Sequence, residues 1–197
     1  LRKIESVDVM DAVGSNIRID VRGSEVMRIL PRLNEEVNEE WIADKTRYAY
    51  DGLKRQRLDR PFIRKDGRLQ PASWAEAFEL ITGKIKATTP DRLGVIAGDL
   101  QDVESMKAAK DLFTALGSSN IDCRQDGMAL GAGPRESWLF NSTIAGIEEA
   151  DVVLLVGTNP RLEAPVFNAR LRKRWLAGAL RVGVIGEQAD LTYAYDY

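Results

Sequence analysis

The stretch "EEADVVLLVGTNPRLEAPVFNARLRKRW", Glu148 to Trp175, decides the fold. Five apolar residues, Val152 to Val156, run without a break, as suits a parallel strand covered on both faces. Gly157-Thr158-Asn159-Pro160 ends the run as a loop. "APVFNARLRKRWLAG" then reads as a helix, with Phe167, Leu171 and Trp175 four apart and Gly178 as its stop. In α/β proteins a ligand sits beyond the carboxyl end of such a strand. Gly157 admits close backbone approach, Thr158 and Asn159 offer hydrogen bonds, and Arg161 suits a phosphate. The same loop also reads as a plain turn, with Gly at the bend and Asn-Pro as a turn pair.

Working outward, the pattern repeats. "RVGVIG" after the helix is another strand, and "STIAGIEEA" before the central strand is a short helix. Upstream, "SWAEAFELITGKIKA" puts Trp74, Ala77, Phe78, Ile81 and Ile85 on one helical face, opened by a Ser73-x-x-Glu76 capping box. "LGVIAG" is a short strand. "VESMKAAKDLFTALG" is a helix with Met106, Ala109, Phe113 and Leu116 inward, and "SNIDCR" follows as a strand. Strand–helix alternation predicts an α/β fold: a mostly parallel Rossmann-like sheet flanked by helices. Ahead of it, Ile17, Ile19 and Val21 alternate, the chain turns at Arg22-Gly23-Ser24, and Val26 and Leu30 follow. That is a hairpin. The predicted organisation is a small antiparallel β subdomain over residues 1–50, a basic linker over 51–72, and an incomplete α/β domain over 73–197.

Composition removes whole classes of function. Hydrophobic residues make up 44% and charged residues 29% of the 197, as expected of a globular chain. The formal net charge of −2 argues against general nucleic-acid binding. The longest apolar run is far short of the roughly 20 residues that span a bilayer, so direct membrane insertion is not expected. There is one cysteine, Cys123, and no histidine. A disulfide within the chain, a zinc finger, a four-cysteine cluster and Ser-His-Asp catalysis are therefore excluded here. The lone thiol fits a reducing compartment and reads as a small buried residue rather than a nucleophile. The start at Leu1 and the stop after "YAYDY" read as those of a fragment.

The remaining candidates are weaker. "DGMALGAGPRESW" holds Gly127, Gly131 and Gly133 but follows no strand directly, so it reads as a surface or interface loop. Asp8, Asp11 and Asp20 match no calcium loop. Between Lys45 and Lys65 lie eight Lys/Arg and two Asp. This segment and the run Arg170, Arg172, Lys173, Arg174 read as solvated faces or as surfaces for partner subunits.

Several strings together resemble one family. "WIADKTRYAYDGLKRQRLDRPFIRKDGRLQPASWAEAFELI" and "ADVVLLVGTNPRLEAPVFNARLRK" are similar to the molybdopterin-dependent oxidoreductases. "ESVDVMDAVGSNIRIDVRGSEVMRILPR", "NEEWIADKTRYAYDGLKRQRL" and "NSTIAGIEEADVVLLVGTNPRLEAPVFNAR" are similar, more closely and nearly end to end, to the large iron–sulfur subunits of respiratory complex I, the NADH:quinone oxidoreductase. The resemblance implies a subunit whose complete form passes electrons from NADH towards quinone through [2Fe–2S] and [4Fe–4S] clusters, coupled to proton translocation. It implies partners in the peripheral arm, including the flavin-bearing NADH-oxidising subunit. It also implies a place on the cytoplasmic face of a bacterial inner membrane or the matrix face of the mitochondrial one.

This chain departs from the family at the decisive positions. The Cys-x2-Cys-x3-Cys element and later cysteine of the cluster-bearing members align with Asp8, Asp11, Ser15 and Ala43, while Lys45 is kept. None of the four supplies a thiolate, so residues 1–50 are expected to be a cluster-less version of the domain, with no metal site. The loop Gly157, Thr158, Asn159, Arg161 is then expected to be vestigial, with no cofactor and no catalytic residue in the chain. Two alternatives stand beside this scaffold reading: a fragment of an enzyme using molybdopterin guanine dinucleotide, and a free-standing nucleotide-binding module.

Overall fold

The computed structural model describes residues 1–98, 100–123 and 133–197. The chain is a mixture of helices and strands with small sheets, and it divides into two compact units. One comprises Leu1–Arg55 with Gly133–Tyr197, and the other Gln56–Ala132.

In the first unit, β1 (Arg2–Val7), β2 (Asn16–Arg22) and β3 (Glu25–Pro31) form an antiparallel sheet in chain order. The expected hairpin is present. Ile17 and Val21 are buried, so the alternation does set one inward face. A bulge at Asp20/Val21 shifts the register. Asp20, fully enclosed, takes Arg28 Nε at 2.7 Å and Arg18 Nε at 2.9 Å. The hydrogen bond from Arg28 is the main reason its carboxyl lies below the ordinary carboxylate range. The segment Asn34–Trp41 is a compact turn built on the buried Asn38. Its side-chain amide donates to the carbonyls of Arg32, Glu39 and Trp41, and its Oδ1 accepts the Asn16 N–H. A short helix, α1 (Asp44–Tyr48), follows.

The same unit holds β8 (Val152–Val156), the one-turn helix α4 (Pro160–Glu163), α5 (Pro165–Leu176) and β9 (Arg181–Ile185). β8 and β9 pair in parallel, Val152 opposite Arg181 through Val156 opposite Ile185. Leu171 of α5 is fully buried and packs with Leu155, Val182, Val184, Ile147, Leu191 and Tyr193 as the core. The predicted helix over "STIAGIEEA" is a 3₁₀ turn, Ala145–Glu149.

In the second unit, Phe62–Lys65 (β4) and Arg68–Pro71 (β5) form an antiparallel hairpin inside the segment expected to be a linker. Asp66-Gly67 is its two-residue turn, a strong hairpin signal obscured by the basic composition around it. α2 (Trp74–Lys86) carries the predicted capping box: the Glu76 N–H donates to Ser73 Oγ, and the Ser73 N–H to the Glu76 carboxylate. α3 (Val103–Ala115) is capped by Asp102, which accepts the Ser105 N–H at 2.7 Å. β6 (Val95–Ile96) and β7 (Ile121–Asp122) pair in parallel over two residues each.

Parallel pairing occurs in both units, as the two-stranded sheets β6–β7 and β8–β9. Two expectations are corrected. β8 is covered on one face only, with Leu155 buried and Val152, Leu154 and Val156 exposed. An all-apolar run carries no alternation to reveal which face is covered. Trp74, Phe78 and Ile81 of α2 are also exposed, and only Ala77 of the predicted face is buried.

Candidate functional site

The loop after β8 lies where the sequence places it, and its groups are already engaged. Gly157 has φ +61, and its N–H donates to Ile185 O at 2.8 Å, which anchors the loop to the end of β9. Gly186 lies against it. A Cβ on Gly186 would stand 3.3 Å from both Cα and N of Gly157, so Gly186 is needed for close approach and Gly157 for its positive φ. Pro160 begins α4, and Asn159 caps it by accepting the Arg161 N–H at 3.1 Å.

The decisive residue is Glu163, which the sequence reading passed over. One carboxylate oxygen accepts the Thr158 hydroxyl at 2.9 Å and the other accepts the Asn159 N–H at 2.8 Å. These two donors would greet a phosphate, and a carboxylate of the same chain occupies them. Arg161 is spent likewise: its guanidinium holds Asp190 through the backbone carbonyl at 2.9 Å and the carboxylate at 2.6 Å. The Thr192 N–H and then Arg161 keep the Asp190 carboxyl below its usual range. An incoming anion would have to displace Glu163 or sit beside its charge. The only sequence signal was a Glu four residues beyond Asn159, one helical turn on.

The second candidate is the set Asp8, Asp11, Ser15 and Ala43. All four are buried, and the fold gathers them. Asp8 Oδ2 accepts the Thr46 hydroxyl at 2.5 Å, one turn along α1 from Ala43, and the Asp8 N–H donates to Ser15 O at 2.8 Å. Asp11 accepts the N–H groups of Val13 at 3.1 Å and Val166 at 3.3 Å. Burial is the main cause that raises the Asp11 carboxyl; the two amides and Lys45 pull the other way. Lys45 donates to Leu162 O at 2.8 Å. Iron–sulfur clusters need soft thiolates, occasionally histidine. Two hard carboxylates, a hydroxyl and a methyl do not fit one. Among the described residues no group of three or more His, Cys, Asp or Glu is placed to hold a metal.

Other sequence candidates fall away. Cys123 is exposed, not buried. Gly127 and Gly131 lie outside the described residues, and Gly133 precedes a 3₁₀ turn at Arg135–Ser137. The basic run on α5 is turned to its own chain. Arg170 is buried against Glu148 at 2.5 Å, Lys173 bridges Glu39 and Glu148 at 2.6 and 2.9 Å, and Arg174 donates to Ala150 O. Arg172 reaches Thr192 O.

The strand–loop–helix at Gly157 and the gathered residues Asp8, Asp11, Ser15 and Ala43 lie in two stretches that known families match. Residues 57–197 match the profile of the molybdopterin oxidoreductase family, and the chain belongs to that family. Residues 1–51 match the 4Fe-4S domain of NADH-ubiquinone oxidoreductase NDSU1/NuoG-like proteins. Over its whole length the chain is similar, at 52% identity, to the mitochondrial 78 kDa subunit of NADH-ubiquinone oxidoreductase of Neurospora crassa. Identity is 51% over the whole chain to the mitochondrial NADH dehydrogenase [ubiquinone] iron-sulfur protein 1 of Solanum tuberosum. It is 53% over 98% of the chain to a NADH-quinone oxidoreductase subunit of Rickettsia conorii. The chain spans 27% of the first two relatives and 29% of the third.

Proposed function

We propose that this chain is part of the large iron–sulfur subunit of a NADH:quinone oxidoreductase and serves there as a scaffold without redox centres of its own. The complete subunit carries electrons through [2Fe–2S] and [4Fe–4S] clusters from NADH towards quinone, and the complex couples this to proton translocation. The similarity at 51–53% to subunits of that complex supports the membership. The observation that carries the scaffold reading is the donor set: Asp8, Asp11, Ser15 and Ala43 at the cluster positions, with Cys123 the only thiol in the sequence.

On this reading the Gly157–Arg161 loop is vestigial, its anion donors satisfied by Glu163 and Asp190. Residues 1–50 are the cluster-less β lobe, 51–72 join it to the rest, and 73–197 are part of an α/β domain. Its strand pairs belong to a parallel Rossmann-like sheet. The partners are other peripheral-arm subunits, including the flavin-bearing one. The place is the cytoplasmic face of a bacterial inner membrane or the matrix face of the mitochondrial one. No helix among the described residues is long and apolar enough to cross a membrane, in keeping with a peripheral position.

The test is metal content. The chain, treated anaerobically with ferrous iron and sulfide and passed through gel filtration, should retain substoichiometric iron and show no paramagnetic signal on reduction. One [4Fe–4S] cluster per chain, or one equivalent of molybdenum after purification from cells making the cofactor, would overturn the reading.

A further inference from the structure

Residues 1–51 match a 4Fe-4S domain, yet this stretch contains no cysteine, and on the family pattern Asp8, Asp11, Ser15 and Ala43 stand where cluster thiolates would. What stands there is not empty of function. The loop 8–15 is tied to α1 by Asp8, whose Oδ2 accepts the Thr46 hydroxyl at 2.5 Å. Its other oxygen accepts the Met10 N–H at 2.9 Å and fixes the start of the loop. Asp11 fixes the middle of the loop through the Val13 N–H and reaches out to the Val166 N–H, in the first turn of α5. Two more bonds follow the same path: Ala12 N–H to Glu163 O at 3.0 Å, and Lys45 Nζ to Leu162 O at 2.8 Å. Ser15 Oγ, fully buried, is the side-chain oxygen left without a partner.

A cluster held by cysteines in the loop and just before α1 would cross-link those two segments. The carboxylates do the same and add a third, the start of α5. Val166 lies one residue after Pro165, so its N–H has no acceptor within the helix and must find one elsewhere. Asp11 supplies it, with a negative charge at the positive end of the helix.

We propose that Asp8 and Asp11, each through its own hydrogen bonds, have replaced the cluster as the strut of this domain, clamping the 8–15 loop to α1 and to the amino-terminal turn of α5. This rests on the scaffold reading, since a chain that bound a cluster here would need the same space. Asp8 and Asp11 are positioning residues, and their effect is read from the amides they hold.

The experiment is residue-resolved amide hydrogen exchange on the 197-residue chain. In the unaltered chain the Val13 and Val166 amides should be protected although neither is bonded to a backbone acceptor. In Asp11→Ala both should exchange at least about ten-fold faster, the loss of roughly one hydrogen bond each, with amides of the β4–β5 hairpin unchanged. Asp11→Asn, which keeps one acceptor oxygen, should retain protection at one of the two. Unprotected Val13 and Val166 in the unaltered chain overturn the strut whether or not a variant folds. So does exchange in Asp11→Ala that stays within about two-fold. Iron content tests the scaffold reading separately: a chain without iron but with unprotected amides sinks the strut alone.

Discussion

Arg170 offers the sharpest perturbation. Its side chain is 4% exposed, and its guanidinium joins three segments distant in sequence. Nη1 meets Glu148 at 2.5 Å, Nη2 meets Glu35 O at 2.5 Å, and Nε and Nη2 approach Val37 O at 3.4 Å. Truncation to Ala leaves two carbonyls without this donor and halves the compensation of Glu148. Removing one partner of a buried ion pair costs about 3–5 kcal/mol. The lower end applies, because Lys173 stays on Glu148 at 2.9 Å. For a domain of this size 1 kcal/mol moves Tm by about 2–4 °C, so Arg170→Ala should lower Tm by about 6–12 °C. Arg170→Lys keeps the charge without the planar fork that serves a carboxylate and two carbonyls at once, so about half the loss is expected. Arg172→Ala, at an exposed neighbour with one carbonyl bond, should lie within about 0.5 kcal/mol of the unaltered chain. Calorimetric melts of the three variants decide it. An Arg170→Ala drop below about 2 °C would refute the claim that this guanidinium is a buried joint, and would return it to the solvated basic face that composition alone suggests.

Further outcomes follow from the same geometry. Gly186→Ala should destabilise by about 1–3 kcal/mol, since its φ of +144 and its contact with Gly157 both resist a Cβ, whereas Gly157→Ala, with open space but φ +61, should cost about 1 kcal/mol; urea titrations that reverse this order would contradict the close packing. Burial opposes ionisation of Glu148, but hydrogen bonds from Lys173 and Arg170 outweigh it and hold its folded value below 4.5. Its stabilising contribution is therefore full above pH 4.5 and is lost as pH falls through that lower value, as for Asp20 below 3.8. Asp11, raised, acts the other way: its contribution is full below pH 3.8 and is lost as pH rises through its folded value. Melts between pH 3 and 6 should show Glu148→Gln flattening the acid limb and Asp11→Asn steepening it, and parallel curves for all three chains would defeat the assignment. Finally, guanosine diphosphate should not bind the unaltered chain in calorimetric titration, and Glu163→Gln should admit inorganic phosphate weakly at best, because Arg161 stays on Asp190; tight nucleotide binding to the unaltered chain would favour the nucleotide-module alternative.

What the sequence made legible was local. The hairpin of β2 and β3 follows from Ile17, Ile19 and Val21, the cap of α2 from Ser73 and Glu76, and the strand–loop–helix from the break at Gly157. Each signal lies within one element, where side-chain period and backbone chemistry suffice. The failures involve partners far along the chain. Arg170 sits in a run of basic residues and reads as solvated; its burial is decided by Glu35 and Val37, more than 130 positions away. The exposed face of β8 was hidden for the opposite reason, since Val152 to Val156 are all apolar and show no preference between faces. The convergence of Asp8, Asp11, Ser15 and Ala43 was legible only through the family pattern, because the fold that gathers them is not written in their spacing.

Both candidate sites resolve by one physical rule. A site for an anion or a cluster is made mostly of donors aimed inward: backbone N–H groups, hydroxyls, a cation. Those donors do not vanish when the ligand does, and a buried donor without an acceptor costs about 1–3 kcal/mol. On the scaffold reading, a chain that gives up its ligand must therefore supply acceptors of its own. At the loop after β8 the donors are exposed and water could serve them at little cost, yet Glu163 takes both the Thr158 hydroxyl and the Asn159 N–H. In the pocket of residues 8–15 the acceptors are Asp8 and Asp11, which take Thr46, Met10, Val13 and Val166. A carboxylate suits both places because two oxygens with several lone pairs can satisfy donors arriving from different segments. Burial raises the Asp11 carboxyl, because it disfavours the charge that makes a carboxylate a good acceptor. Ser15 Oγ, buried and without a hydrogen-bond partner, is a hydroxyl that neither carboxylate takes.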